Sequence, residues 1–207
     1  MRCGATPATA VREQRLSLHP PKEHRPMTTT LKHSLGTQTE PGTLRIERTL
    51  PGPIDRVWTY LVDPEKRRSW LAGGTMAQAP GAVFELRFQH TELSDEVAPE
   101  RFAAYRETHV QHSRVLRIEP PTLLVISWGS EREDASEVSF ELSPQGAQTT
   151  HLVLTHRRLP DRKETLSVAS GWHAHLGVLD EVLHGRAPQG FWTQLEAAEA
   201  AYATHIR

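Results

Sequence analysis

Histidine is the side chain in this sequence best suited to chemistry near neutral pH, and there are twelve of them. His156 falls in step with Leu152 and Leu154 in an alternating stretch, so it shares their apolar face. An imidazole there can hydrogen-bond a ligand, act as a general acid, or sit satisfied in a core. His112 falls in step with Val110, Arg114 and Leu116. It is a candidate polar group in a pocket, and Arg114 beside it is placed to pair with a ligand carboxylate or with a strand neighbour. His173 and His175 are two residues apart. On a helix that spacing turns them about 200° from each other, so they do not converge on one ion. A zinc site needs three or four converging ligands. No His-x-x-x-His pair occurs, and the single cysteine, Cys3, is remote from the other candidates. No metal and no cofactor are expected. Neither a Gly-x-Ser-x-Gly elbow nor a Gly-x-x-x-x-Gly-Lys phosphate loop is present, so no catalytic residue is assigned.

Aromatic residues form the second set. Trp58, Phe84 and Phe140 read as core. Trp70, Phe88, Trp128 and Trp172 read either as core or as the lining of a small-molecule pocket, which is commonly aromatic with a few polar groups. A buried indole N–H needs a partner, which a pocket's polar atoms or water can supply. The expected ligand-binding set is Trp70, Phe88, His112, Arg114, Trp128, His156, Trp172, His175 and Leu176.

Particular elements must position these residues. Thr43–Leu50 alternates apolar and polar, the mark of a half-buried strand. Pro53 opens a short amphipathic helix through Ile54, Val57, Trp58, Leu61 and Val62, and Asp63 caps a second one, Pro64–Leu71, that presents Trp70. Strand patterns follow at 83–88, 105–118, 123–128, around Val138–Leu142, and at 150–156, while the polar stretch 91–104 reads as a loop or helical insertion. After Pro160 the period changes to 3.6. Val168, Trp172, Leu176, Leu179 and Leu183 make a stripe on a helix of about 17 residues, about 25 Å long. Phe191, Leu195, Ala198 and Tyr202 continue it on a final helix. Antiparallel strands in series form a sheet with one apolar face, and the long helix is the element able to cover it.

Composition sets outer bounds. The chain has 207 residues, with 24 Lys and Arg against 25 Asp and Glu, so no basic footprint points to nucleic acid. No apolar run approaches the roughly 20 residues of a membrane span. Residues 1–42 carry six Lys or Arg, three Asp or Glu and few large apolar groups. They read as a disordered extension, or as an over-long reading frame whose real start is Met27. Residues 43–207 form the folded domain, and the lone cysteine suits a cytoplasmic location.

Several phrases carry a resemblance. They are Pro53-Ile-Asp-Arg-Val-Trp58 with Leu61-Val-Asp-Pro64 and Trp70; Val115-Leu-Arg-Ile-Glu-Pro-Pro121 with Leu123-Leu-Val and Trp128; Thr149 to His156 with Leu159-Pro160; and Gly171-Trp172 with Leu176 and Leu179. In this order they resemble the activator of heat-shock-protein-90 ATPase homologue (AHSA-type) branch of the START/SRPBCC superfamily, over about Thr43 to Tyr202. The resemblance implies an α+β helix-grip fold, with a curved antiparallel sheet wrapped around the long C-terminal helix and a cavity between them for an apolar or amphipathic small molecule. It also implies two alternatives: a chaperone-linked interaction protein, or a cyclase or hydrolase using a pocket histidine. Helix-grip proteins often pair, and Phe191-Trp192 is expected to offer an exposed apolar anchor for a homodimer.

Overall fold

A computed structural model describes residues 31–206. The extension expected over 1–30, with Cys3 and the alternative start Met27, lies outside the described residues. Seven strands form one curved antiparallel sheet: β1 (Thr37–Glu40), β2 (Thr43–Pro51), β3 (Val83–Phe88), β4 (His109–Glu119), β5 (Leu123–Trp128), β6 (Ser136–Pro144) and β7 (Thr149–Arg157). Their spatial order is β1-β2-β7-β6-β5-β4-β3. Helices α1 (Ile54–Val62) and α2 (Pro64–Arg68) interrupt the sheet after β2, and α3 (Arg162–Leu183) and α4 (Phe191–His205) end the chain. Among the described residues no helix is long and apolar enough to cross a membrane.

Period-two alternation puts Leu44, Ile46, Arg48 and Leu50 of β2 on the concave face, opposite His156, Leu154, Leu152 and Thr150 of β7. Phe140 and Leu142 of β6 continue the rows. Trp172, Leu176, Leu179 and Leu183 of α3 close this face, and all four are buried. The helix is buried on its far side as well, because α4 folds back along it. Asp161 caps α3 by accepting the Glu164 N–H (2.8 Å), and Asp63 caps α2 through the N–H groups of Glu65 and Lys66.

Arg67 is 3% exposed and holds the end of α1. Its guanidinium donates to the carbonyls of Leu61 (3.3 Å), Val62 (3.4 Å) and Ala72 (3.1 Å), and to that of Gly74. A cation is favourable beside the carbonyl end of a helix. The Gly73–Gly74 pair then lies against β3, where Gly73 exchanges backbone hydrogen bonds with Arg87. Gly74 has φ +105°, and a Cβ there would meet the Glu85 carbonyl oxygen at 2.1 Å. Gly74→Ala is expected to lower stability by about 2–3 kcal/mol through strain and clash. A urea midpoint equal to that of the parent would show that the segment adapts instead.

Three expectations are corrected. First, residues 31–42 belong to the fold. Thr37–Glu40 pairs with β2, the Gly36 N–H donates to the Tyr202 hydroxyl (2.7 Å), and Lys32 bridges Asp180 (2.7 Å) and Glu181 (2.6 Å). A four-residue edge strand held by backbone and polar contacts leaves no hydrophobic signature. Second, Phe191 and Trp192 are each 2% exposed, so they offer no dimer anchor. The segment between β3 and β4 covers them. Third, His112 is exposed and Arg114 turns outward to the carbonyls of Gly81 (3.1 Å) and Glu131 (3.2 Å). The register of β4 slips between Val115 and Arg117. Counting back in twos from Ile118 through such a bulge lands on the wrong face, and Ser113 and Val115 are the inward residues.

Candidate functional site

The space between sheet and α3, where the ligand cavity is expected, is filled by interlocked rings. Trp172 lies 4.7 Å from Trp128 and 5.7 Å from Phe140 by ring centroids, and Trp70 meets Phe140 edge-on at 6.5 Å. The Trp70 indole donates to the Tyr60 carbonyl (2.8 Å), so it needs no guest. The void left beside Trp70, Phe84 and Phe140 measures about 10 Å³, near the minimum for a single water. Trp70, Trp128, Trp172 and Leu176 therefore pack the interior.

His156 belongs to the same core. Its Nδ1 accepts the Trp172 indole N–H (3.1 Å), which places the imidazole proton on Nε2, and that proton goes to Ser136 Oγ (3.0 Å). The serine hydroxyl passes its own to the Trp128 carbonyl (3.3 Å). Burial pushes the His156 pKa down to about 3. Both nitrogens are satisfied, so this histidine has nothing left for a ligand.

A partly open chamber lies on the other side of α3. Ser167, Gly171 and His175 are spaced by four residues and so share one face of that helix. Helix α4 contributes Phe191, Trp192, Leu195 and Glu199, and the segment between β3 and β4 contributes His90, Phe102 and Tyr105. Two short 3-10 turns, His90–Glu92 and Glu100–Arg106, shape that segment. It is fastened to α4 at several points. Ser94 Oγ accepts the Phe191 N–H (3.2 Å) and the Glu96 carboxylate accepts the Thr193 N–H (3.0 Å), so the N-terminus of α4 is capped from outside its own sequence. Arg101 pairs with Glu196 (3.1 Å) and Glu199 (2.7 Å) and stacks over the Phe102 ring at 4.0 Å. The chamber so formed, whose lining includes the exposed residues Ser167 and Tyr105, has a volume of about 130 Å³.

Its walls are rings. Phe102 stacks on Trp192 (5.1 Å, 27°), Phe191 stands perpendicular to Trp192 (5.0 Å, 83°), and Phe88 stacks on His90 (5.8 Å, 12°). His90 lies 5.5 Å from His175 by ring centroids. His175 donates from Nδ1 to the Trp70 carbonyl (2.8 Å), because a carbonyl only accepts. Burial, followed by the neighbouring His90, pushes the His175 pKa down to about 3; burial, followed by His109, pushes His90 down to about 4. Both are neutral at pH 7. With its one proton on Nδ1, neutral His175 carries a bare lone pair on Nε2. That atom has no hydrogen-bond partner among the described residues, and it is not one of the unpaired nitrogens sealed from solvent. His175 is one of the residues that line the chamber. His90 Nδ1 and Trp192 Nε1 are sealed and unpaired nearby.

Of the expected ligand-binding residues, His175 lines the chamber and Phe88 backs it through His90 and His175. His90, Phe102, Tyr105, Phe191, Trp192 and Gly171 are lining residues that sequence reasoning did not assign. The three-residue spacing of Phe102 and Tyr105, and the start of the α4 stripe at Phe191, are the signals that could have found them. A larger cleft of about 490 Å³ lies between residues 31–33, α3 and the start of α4. Its polar groups are already engaged: Lys32 and Arg186 pair with Glu181, and the Glu96 carboxylate accepts the Thr193 N–H. Among the described residues no cluster of ligating side chains fit for a metal ion is found.

Comparison with known proteins gives three findings. The family model described as activator of Hsp90 ATPase homolog 1-like protein matches residues 51–184. The solution structure of a protein from Bordetella parapertussis is 46% identical, with a TM-score of 0.72, over 86% of this chain and 94% of that one. The fold is shared with CalU16 from Micromonospora echinospora (24% identity, TM-score 0.61, 85% of this chain and 98% of that one). It is shared also with DynU16 of the dynemicin biosynthetic locus (22%, TM-score 0.55, 73% and 51%). No curated protein matches the chain.

Proposed function

The chain belongs to the activator of Hsp90 ATPase homolog 1-like family, and from that premise we propose that it binds a small ring-sized molecule in the chamber between α3, α4 and the segment 89–107. The observation that carries this reading is at Gly171. A Cβ built there meets nothing within 4 Å, and this half-buried residue stands on the face of α3 that lines the chamber, between Ser167 and His175. That face of α3 leaves room for a guest under the Phe191 and Trp192 rings of α4. The volume of about 130 Å³ is close to that of an engineered cavity of about 150 Å³ that takes up benzene. Binding suits the site better than proton transfer does. A base whose conjugate acid titrates at about 3 is poorly matched to proton abstraction near neutral pH.

The test is a two-dimensional NMR titration with a set of single-ring molecules, followed at the Trp192 indole and the His175 imidazole. Saturable shifts at those groups, absent from Trp70 and Trp58, are expected. Gly171→Leu should abolish them by filling the chamber. Gly171→Ala should leave binding measurable and raise stability by about 0.5–1 kcal/mol, since alanine is the better helix former and its methyl group enters open space. Shifts that persist in Gly171→Leu, or a destabilised Gly171→Ala, would refute the assignment.

A further inference from the structure

Segment 31–36 lies over a buried cation. Arg48 of β2 is 4% exposed, and among the described residues no carboxylate pairs with it. Its guanidinium donates to the carbonyls of Ser34 (3.0 Å) and Glu47 (2.8 Å) and to Nδ1 of His173 in α3 (3.3 Å), while its Nε is sealed and unpaired. A guanidinium only donates, so Nδ1 of His173 is bare and this histidine, 2% exposed, is neutral. Burial first, then Arg48 and His33, holds its pKa down to about 3. From α4 the Tyr202 hydroxyl stands 3.5 Å from the same Nδ1 and accepts the Gly36 N–H (2.7 Å). The carboxylates of α3 nearby are taken. Asp180 lies 2.7 Å from Lys32, 3.4 Å from His184 and 3.6 Å from Arg186, and Glu181 pairs with Lys32 and Arg186. His33 reaches Asp180 only at 3.8 Å, and its Nε2 is sealed and unpaired.

A proton on Nδ1 of His173 therefore meets no free carboxylate. It sets two cations 3.3 Å apart in a buried site and turns the accepting nitrogen into a donor facing a donor. Water reaches the pair at least cost where the cover is weakest. Leu31 and Leu35 are only partly buried, and Lys32, with its side chain 52% exposed, makes ion pairs of little worth. The sheet face under α3 is closed instead by fully buried side chains. We infer that segment 31–36 is an acid-released strap: protonation of His173 against Arg48 lifts it from α3 and α4 while the sheet stays folded. Leu31, Lys32 and His33 line the cleft of about 490 Å³, so release removes one wall of that cleft and uncovers the Arg48 guanidinium. The strap is a pH gate on the cleft, independent of the chamber.

The experiment is hydrogen exchange by NMR on the intact chain, in half-unit steps from pH 7.5 to 5.5 and corrected for the intrinsic rate at each pH. With the strap lifted, His173 titrates near the ordinary value of about 6.5; with it closed, the imidazole stays neutral. Closure is therefore fully favoured above that value and weakens as pH falls. The opening constant at the Gly36 amide is expected to rise about tenfold by pH 5.5, one unit below the ordinary value. At every pH the amides of Leu152 and Leu154 in β7 should stay better protected than that of Gly36. His173→Gln keeps an acceptor oxygen for Arg48 but cannot titrate, so it should flatten the rise. In the unsubstituted protein the ¹⁵N signals of His173 should show a bare Nδ1 at pH 7.5, a reading that does not depend on the variant folding. A Gly36 amide that opens only as often as the β7 amides would overturn the strap as a separate unit. An opening constant indifferent to pH, a rise that survives His173→Gln, or a protonated Nδ1 at pH 7.5 would overturn His173 as its trigger.

Discussion

Replacing Trp172 by alanine is expected to lower the stability of the fold by about 4 kcal/mol, within the range of about 3–5 kcal/mol typical of buried Trp or Phe truncated to alanine. Trp172 is 3% exposed and wedged among Trp128, Phe140 and His156. The residual void of about 10 Å³ in the interior lies beside Trp70, Phe84 and Phe140 and is not lined by Trp172. Truncation opens a ring-sized hole that the facing strands, locked in register by their ladders, cannot close. A second loss is chemical: the indole N–H that satisfies His156 Nδ1 disappears. Trp172→Phe separates the two. It keeps most of the volume and removes the donor, and it should cost about 1–3 kcal/mol, the usual penalty for a buried acceptor left unpaired. Urea unfolding followed by far-ultraviolet circular dichroism gives both values at once. A Trp172→Ala cost under about 1 kcal/mol would mean that the tryptophans are loosely packed. The space between sheet and helix would then have to be reconsidered as a ligand cavity.

That prediction also marks how far the sequence is legible. Alternation along β2, β6 and β7 and the stripe on α3 identify which residues face inward, because burial on one face of a strand or helix imposes its own period. The caps at Asp63 and Asp161 are local, and Asp63 was readable for that reason. Whether Trp70, Trp128 and Trp172 leave a cavity or fill it is a matter of volume, and no periodicity encodes volume. The face of His112 and Arg114 was misassigned because a bulge between Val115 and Arg117 changes parity without leaving a Gly or Pro as a marker. The chamber escaped notice for a different reason. Its walls come from three segments distant in sequence, one of them the polar stretch around Phe102 and Tyr105. Only the fold brings that stretch over Trp192. Of the expected site, His175 survives as a chamber-lining group, while His156 becomes a structural one.

The same histidines should make the protein collapse in mild acid. Burial, with nearby positive groups in some cases, holds four of them far below the ordinary histidine value: His90 at about 4, and His156, His173 and His175 at about 3. In the unfolded chain each titrates near about 6.5. Between these limits the unfolded state binds protons that the folded state refuses, so stability falls as pH falls. The contribution is fully present above about pH 6.5, and each histidine then withdraws about 1.4 kcal/mol per pH unit. At pH 6 the four together remove about 3 kcal/mol, and at pH 5 about 8 kcal/mol, which rivals the entire stability of an ordinary domain. Cooperative unfolding is therefore expected near pH 5. Carboxylates respond later: Glu181 is held at about 2 first by its hydrogen bond from Arg186, and its contribution is lost only as pH falls below the normal carboxylate range. The measurement is guanidinium unfolding at half-unit steps from pH 7.5 to 5, with proton uptake from the slope. His175→Phe removes one of the four titrating groups and should reduce the slope by about one proton, even though the variant starts less stable. A stability that stays level from pH 7 to pH 5 would mean that these imidazoles reach solvent.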